Sequence, residues 1–117
     1  MKSRSIAAVS AVVLLLGTAT VAAARPTSVR ATTVKVTAKD FSFQLSSQSV
    51  AHGRVTFVIK NTGKTAHDFW IAGHTSKIVQ PGSSTRLTVR LKTGRYPYRC
   101  TVDSHAKLGM KGVLRVR

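Results

Sequence analysis

Apolar and polar residues alternate with a period of two through most of the chain beyond residue 32. Val34 and Val36 flank Lys35, Phe41, Phe43 and Leu45 alternate with polar neighbours, and Val55 to Asn61 is the β-branched run VTFVIKN. His67, Phe69 and Ile71 fall on one face of HDFWI, as do Leu87, Val89 and Leu91 in TRLTVRL and Tyr96, Tyr98 and Cys100 in RYPYRC. GVLRVR closes the sequence, with Val113 and Val116 apolar among basic residues. A period of two sends successive side chains to opposite faces of a pleated strand, and Val, Ile, Thr and aromatic residues suit that backbone. Turn residues separate the runs: His52-Gly53, Asn61-Thr62-Gly63, Pro81-Gly82-Ser83-Ser84 and Lys92-Thr93-Gly94. No segment keeps a helical period over several turns. The pattern predicts an all-β, Greek-key β-sandwich of about seven strands. Pro97 inside a strand pattern predicts an edge, or a position where no ladder donor is needed.

The N-terminal segment breaks this pattern. Lys2 and Arg4 precede an apolar stretch from Ile6 to Leu16, and small residues ending in Ala22-Ala23-Ala24 follow. A basic start, a short apolar core and an Ala-x-Ala end are the marks of a cleaved export signal, here residues 1–24. The core is too short to span a bilayer comfortably, so no transmembrane anchor is expected after cleavage. No Cys lies near the cut to carry a lipid, and no Arg-Arg pair marks twin-arginine export. Residues 25–32 (RPTSVRAT) read as a flexible lead-in, and 33–117 as one small domain with a single core. The expected location is the periplasm or another extracellular or cell-envelope space.

Charge narrows the partners. Of the 19 Lys and Arg, two leave with the signal, and the remaining 17 face only Asp40, Asp68 and Asp103, a net +14 with no Glu anywhere. Such a field attracts acidic proteins or an anionic envelope surface. The basic residues alternate with apolar ones along strands instead of clustering in a reading helix or arm, and the chain is exported, so nucleic acid is not an expected partner.

The chemistry concentrates at the C-terminus. Cys100, His105 and Met110 recur at steps of five in CTVDSHAKLGMKG. Five is not the spacing of a helix face, so the three fit a loop between two strands, with Ser104, Gly109 and Gly112 supplying turn residues. A lone Cys in an exported chain makes no internal disulfide and needs another occupation. Thiolate, imidazole and thioether together are the donor set of a mononuclear copper electron-transfer site, which requires a second His. His67, after the NTGKTA turn, is the candidate. His52, beside a Gly turn, and His74, in GHTSK, read as solvent-facing, and Trp70 alternates away from His67 and Phe69 toward the outer face.

The stretch YPYRCTVDSHAKLGMKGVLRV resembles the C-terminal copper loop of cupredoxins, the small blue copper proteins. The segment with Asn-Thr-Gly upstream of His-Asp-Phe resembles their N-terminal ligand region. The two four-residue gaps are similar to those of rusticyanin and auracyanin. This resemblance implies a Greek-key sandwich of eight or nearly eight strands, so seven to eight in all. It also implies one copper ion, with His67, Cys100 and His105 as equatorial ligands and Met110 axial, and one-electron transfer as the function. Cupredoxins often carry Asn or Ser after the first His. Asp68 stands there in this chain, and an ionised carboxylate near the thiolate would favour Cu(II).

The functional expectation is an exported, monomeric electron carrier. An acidic redox partner would dock transiently on the Ala106, Leu108 and Gly109 surface around His105. The alternative is copper storage, delivery or detoxification with the same four residues. An enzyme is not expected: no third residue is evident to orient a Cys–His pair, Met110 would be unexplained, and there is neither a second Cys for a binuclear copper centre nor room for further copper domains.

Overall fold

The computed structural model describes residues 3, 10–18 and 31–117. The expected signal and lead-in lie largely outside the described residues, although Ala31 and Thr32 already belong to the first strand. Among the described residues no helix is long and apolar enough to cross a membrane.

Among the described residues, nine strands form two sheets. They are β1 (Ala31–Lys39), β2 (Ser42–Leu45), β3 (Ser49–Val50), β4 (Gly53–Asn61), β5 (Trp70–Ile71), β6 (His74–Thr75), β7 (Ser84–Leu91), β8 (Gly94–Arg99) and β9 (Lys111–Val116), with a single 3₁₀ turn at His105–Leu108. One sheet runs β2-β1-β4-β7 and the other β3-β9-β8-β5-β6. The all-β sandwich expected from the alternation is what forms. The count exceeds seven to eight because β3 and β6 are two residues each, too short to display a period.

The alternating residues become the core. Val34, Val36 and Ala38 of β1, Val55, Phe57 and Ile59 of β4, and Leu114 and Val116 of β9 are buried between the sheets. Burial of each large apolar side chain contributes roughly 1.5–3 kcal/mol. Phe69 anchors the centre, with ring centroids 5.0 Å from Phe57, 5.3 Å from Phe43 and 5.4 Å from Tyr98. In β9 the inward residues are Leu114 and Val116, while Val113 faces out. Trp70 does turn outward, where the Arg99 guanidinium lies 4.3 Å from its ring centre.

Since β8 lies between β9 and β5, Pro97 takes the second of its two expected positions, one where no ladder donor is needed, and not an edge. It pairs with Val113 on one side, and on the other β5 reaches only Tyr98 and Arg99, so the missing N–H falls beyond the end of that ladder. Gly112 is not a turn residue. It sits in β9 opposite Tyr98, and a Cβ there would overlap the Tyr98 hydroxyl.

One pairing positions the site. β1 and β4 run parallel, with Ala38 beside Asn61. Both strands therefore end on the same side of the sandwich. β8 ends there too, and β9 begins there, since Arg99 pairs with Lys111.

Candidate metal centre

Three segments converge at that end. Asn61 closes β4 and is fully buried. Its amide N–H groups donate to the carbonyls of Thr65 and Val79 at 2.8 Å each, and its carbonyl accepts from Gly63 N–H at 2.8 Å. This Asn-braced turn delivers His67. His67 is not the head of a strand as the alternation implied: it forms an isolated antiparallel bridge with Val79, and the strand proper begins only at Trp70. The second segment is the β8–β9 connection. Cys100 follows β8 directly and donates its N–H to Met110 O at 3.0 Å, while Met110 N–H donates to His105 O at 3.2 Å. These bonds fold the loop so that its three chemically active residues all turn inward. The third segment is the β1–β2 turn, Asp40 and Phe41.

His67, Cys100 and His105 come together, with one donor atom from each within 4.8 Å of the others. His67 Nδ1 lies 3.2 Å from His105 Nδ1, and Cys100 Sγ lies 3.7 Å from His105 Nδ1 and 4.0 Å from His67 Nδ1. All three residues are buried, His67 completely, and Met110 beside them is also fully buried. His52 and His74 stay outside the cluster and exposed. His52 holds the C-terminus, its Nδ1 lying 2.8 Å from Arg117 O.

This geometry fits a metal ion. Nitrogen and sulfur donors at about 2.0–2.3 Å from one first-row ion stand roughly 3.3–3.9 Å apart when they surround it in a plane or a tetrahedron. The observed separations bracket that range. One thiolate and two imidazoles, with a thioether adjacent in the loop, are soft enough for Cu(I) and nitrogen-rich enough for Cu(II).

Two residues that the sequence pattern did not single out frame the cluster. The Asp40 carboxylate accepts from His67 Nε2–H at 2.7 Å, from the Thr65 hydroxyl at 2.8 Å and from Lys64 N–H at 2.9 Å. These bonds, led by the one from Lys64 N–H, hold its pKa down at about 2. A carboxylate only accepts, so His67 carries its proton on Nε2 and turns the Nδ1 lone pair toward Cys100 and His105. Phe41 covers the pair, with ring centroids 4.8 Å from His105 and 6.3 Å from His67. The alternation marks Phe41 only as an apolar strand position, and nothing in the spacing ties either residue to the cluster. The signal lies only in the parallel pairing, which sequence periodicity does not reveal.

Asp68 and Cys100 are also coupled. The Asp68 carboxylate accepts from Thr101 N–H at 2.6 Å and from the Thr101 hydroxyl, tying the first ligand segment to the residue after Cys100. Burial pushes the Cys100 thiol pKa up. The backbone N–H groups of Asp68 and Val102 oppose that shift, and the negative Asp68 carboxylate adds to it. A buried, protonated thiol of this kind gives up its proton when a cation arrives.

A two-sheet Greek-key sandwich with a His–Cys–His cluster at one end, fed by the connection between its last two strands, is the cupredoxin architecture. The chain belongs to that family: the model described as Cupredoxin-like domain matches residues 6–116. No curated protein matches in sequence. Among solved structures, auracyanin from the photosynthetic bacterium Roseiflexus castenholzii aligns over 74% of this chain and 97% of its own, at 20% identity and a TM-score of 0.63. Auracyanin B aligns over 76% and 90%, at 19% identity and a TM-score of 0.63. Auracyanin A of Chloroflexus aurantiacus, described as a "blue" copper protein, aligns over 75% and 100%, at 17% identity and a TM-score of 0.63. At these identities the likeness is one of fold.

Proposed function

We propose that this chain is an exported mononuclear copper protein that carries single electrons between redox partners. His67, Cys100 and His105 would hold the ion, and the Met110 thioether would serve as a weaker fourth donor. The observation that carries the reading is the buried cluster of two Nδ1 atoms and one Sγ within 4.8 Å of one another. Copper bound by this set supplies a one-electron Cu(I)/Cu(II) couple. The chain's own residues do the rest. The Asn61-braced turn and the Cys100–Met110 backbone bond hold the donors in one arrangement, so neither oxidation state requires a large rearrangement. Phe41 and the sandwich interior exclude water.

Burial favours electron transfer over storage or delivery. A delivery site needs a ligand that an acceptor can displace, whereas His67 and Met110 are fully covered and Cys100 and His105 nearly so. His105 is the most exposed of the four, at 7%. The 3₁₀ turn that carries it also presents Leu108, 61% exposed, which supports docking of an acidic redox partner at this end. The net charge supports steering of that encounter and affinity for an anionic envelope surface. The basic, apolar, Ala-rich N-terminus supports export.

The test is addition of Cu(II) to the purified domain. An intense thiolate-to-copper absorption band should appear, and Cys100→Ser should abolish it. A colourless protein, or one that takes Zn(II) with equal preference, overturns the reading.

A further inference from the structure

His67 and His105 do not have equivalent surroundings. His67 is sealed, and its Nε2–H points at a carboxylate; His105 packs against the rings of Phe41 and His67 and keeps a small opening to solvent. The carboxylate comes from Asp40, 27 residues earlier in the chain. Several features seat it. The parallel register places Ala38 beside Asn61, and Thr62 N–H donates to Ala38 O at 2.9 Å, which brings the β1–β2 turn against the turn that carries His67. Gly63 leaves the space: a Cβ on it would overlap Asp40 Oδ1. Lys64 N–H and the Thr65 hydroxyl then fix the carboxylate's two oxygens. Four consecutive residues, Thr62 to Thr65, thus serve one acid, and that acid's remaining contact is the imidazole.

We infer that Asp40 is the positioning residue of this centre. Its carboxylate fixes the His67 tautomer with Nδ1 free and, through its charge on the far side of that ring, favours the more positive state of the ion the site holds. The inference rests on the metal reading above for its second half only; the tautomer belongs to the metal-free chain. A carboxylate hydrogen-bonded to a ligating imidazole raises the basicity of that ligand, and removal of such a partner typically costs about 10–100-fold in metal affinity. Because the charge acts more strongly on Cu(II) than on Cu(I), the loss should fall mainly on Cu(II).

Three substitutions separate the parts. Asp40→Asn keeps an oxygen acceptor and removes the charge. Asp40→Ala removes both. Gly63→Ala leaves Asp40 in the sequence and displaces its carboxylate. In the metal-free protein, long-range ¹H–¹⁵N correlations of the His67 ring should show a single Nε2–H tautomer in the wild type and in Asp40→Asn, and a mixture in Asp40→Ala and Gly63→Ala. In the copper-loaded protein all three substitutions should lower Cu(II) affinity relative to Cu(I), by about tenfold where the charge is lost, which equals about 59 mV of higher potential for one electron.

An unchanged tautomer in Asp40→Ala overturns the positioning role, and a potential that does not move in Asp40→Asn overturns the role of charge. Should Asp40→Ala fail to fold, Gly63→Ala carries the same test. A wild type that binds no copper overturns the proposed function, while the tautomer measurement still decides what Asp40 does to His67.

Discussion

The thiol of Cys100 is the residue on which the chemistry turns, and its surroundings serve two states. Burial favours the protonated form, while the N–H groups of Asp68 and Val102 await the thiolate. In the metal-free protein the raised pKa therefore leaves little thiolate at neutral pH. Alkylation of native, metal-free Cys100 should run at least about tenfold slower at pH 7.5 than in the urea-unfolded chain. It should accelerate about tenfold per pH unit, and this rise should continue to higher pH than in the unfolded chain, because the folded pKa is the higher one. A native rate that levels off at lower pH than the unfolded rate would contradict the shift. The donors themselves were legible as residues, because Cys, His and Met in one run are chemically conspicuous. Asp40 was not. An Asp at a strand end is ordinary, and only its three hydrogen-bond donors make it part of the centre.

At the scale of elements, β8 and β9 are the frame on which the ligand loop hangs, and their register depends on a missing side chain. Tyr98 packs beside Phe69 and occupies the space above Gly112. Gly112→Ala should force Tyr98 out of place and cost about 1–3 kcal/mol in denaturant unfolding, as overpacking of a filled site does. Tyr98→Phe in the same background removes the hydroxyl that the new methyl meets, and should recover part of that loss. Two independent, additive losses would mean that the two residues do not meet. Each of the seven periodic runs contains a strand, although HDFWI keeps only Trp70–Ile71, because alternation is a local property and one buried face is enough to produce it. β3 and β6 escaped notice because two residues cannot alternate detectably. His67 fell outside a strand because the Asn61 turn and the Val79 bridge, both long-range in sequence, define its backbone.

For the whole molecule, the excess of positive charge is the dominant long-range term, and two of its three acids are engaged at the metal end, Asp40 with His67 and Asp68 with Thr101. Electron exchange with an acidic partner should slow by an order of magnitude or more between about 10 and 150 mM ionic strength, as the screening length falls from about 30 to 8 Å. Exchange with a neutral small-molecule oxidant should stay flat. An acidic partner whose rate ignores salt would remove the steering role. Residue type and near-neighbour spacing are enough to mark the strand periods, the charge, most of the turns and four candidate donor residues. The tertiary structure decided the rest: which strands pair, that β1 and β4 run parallel, that Asp40 meets His67, and which imidazole nitrogen faces the thiol. These depend on partners tens of residues apart, and a chain whose local period is always two carries no local mark of which strand will lie beside which.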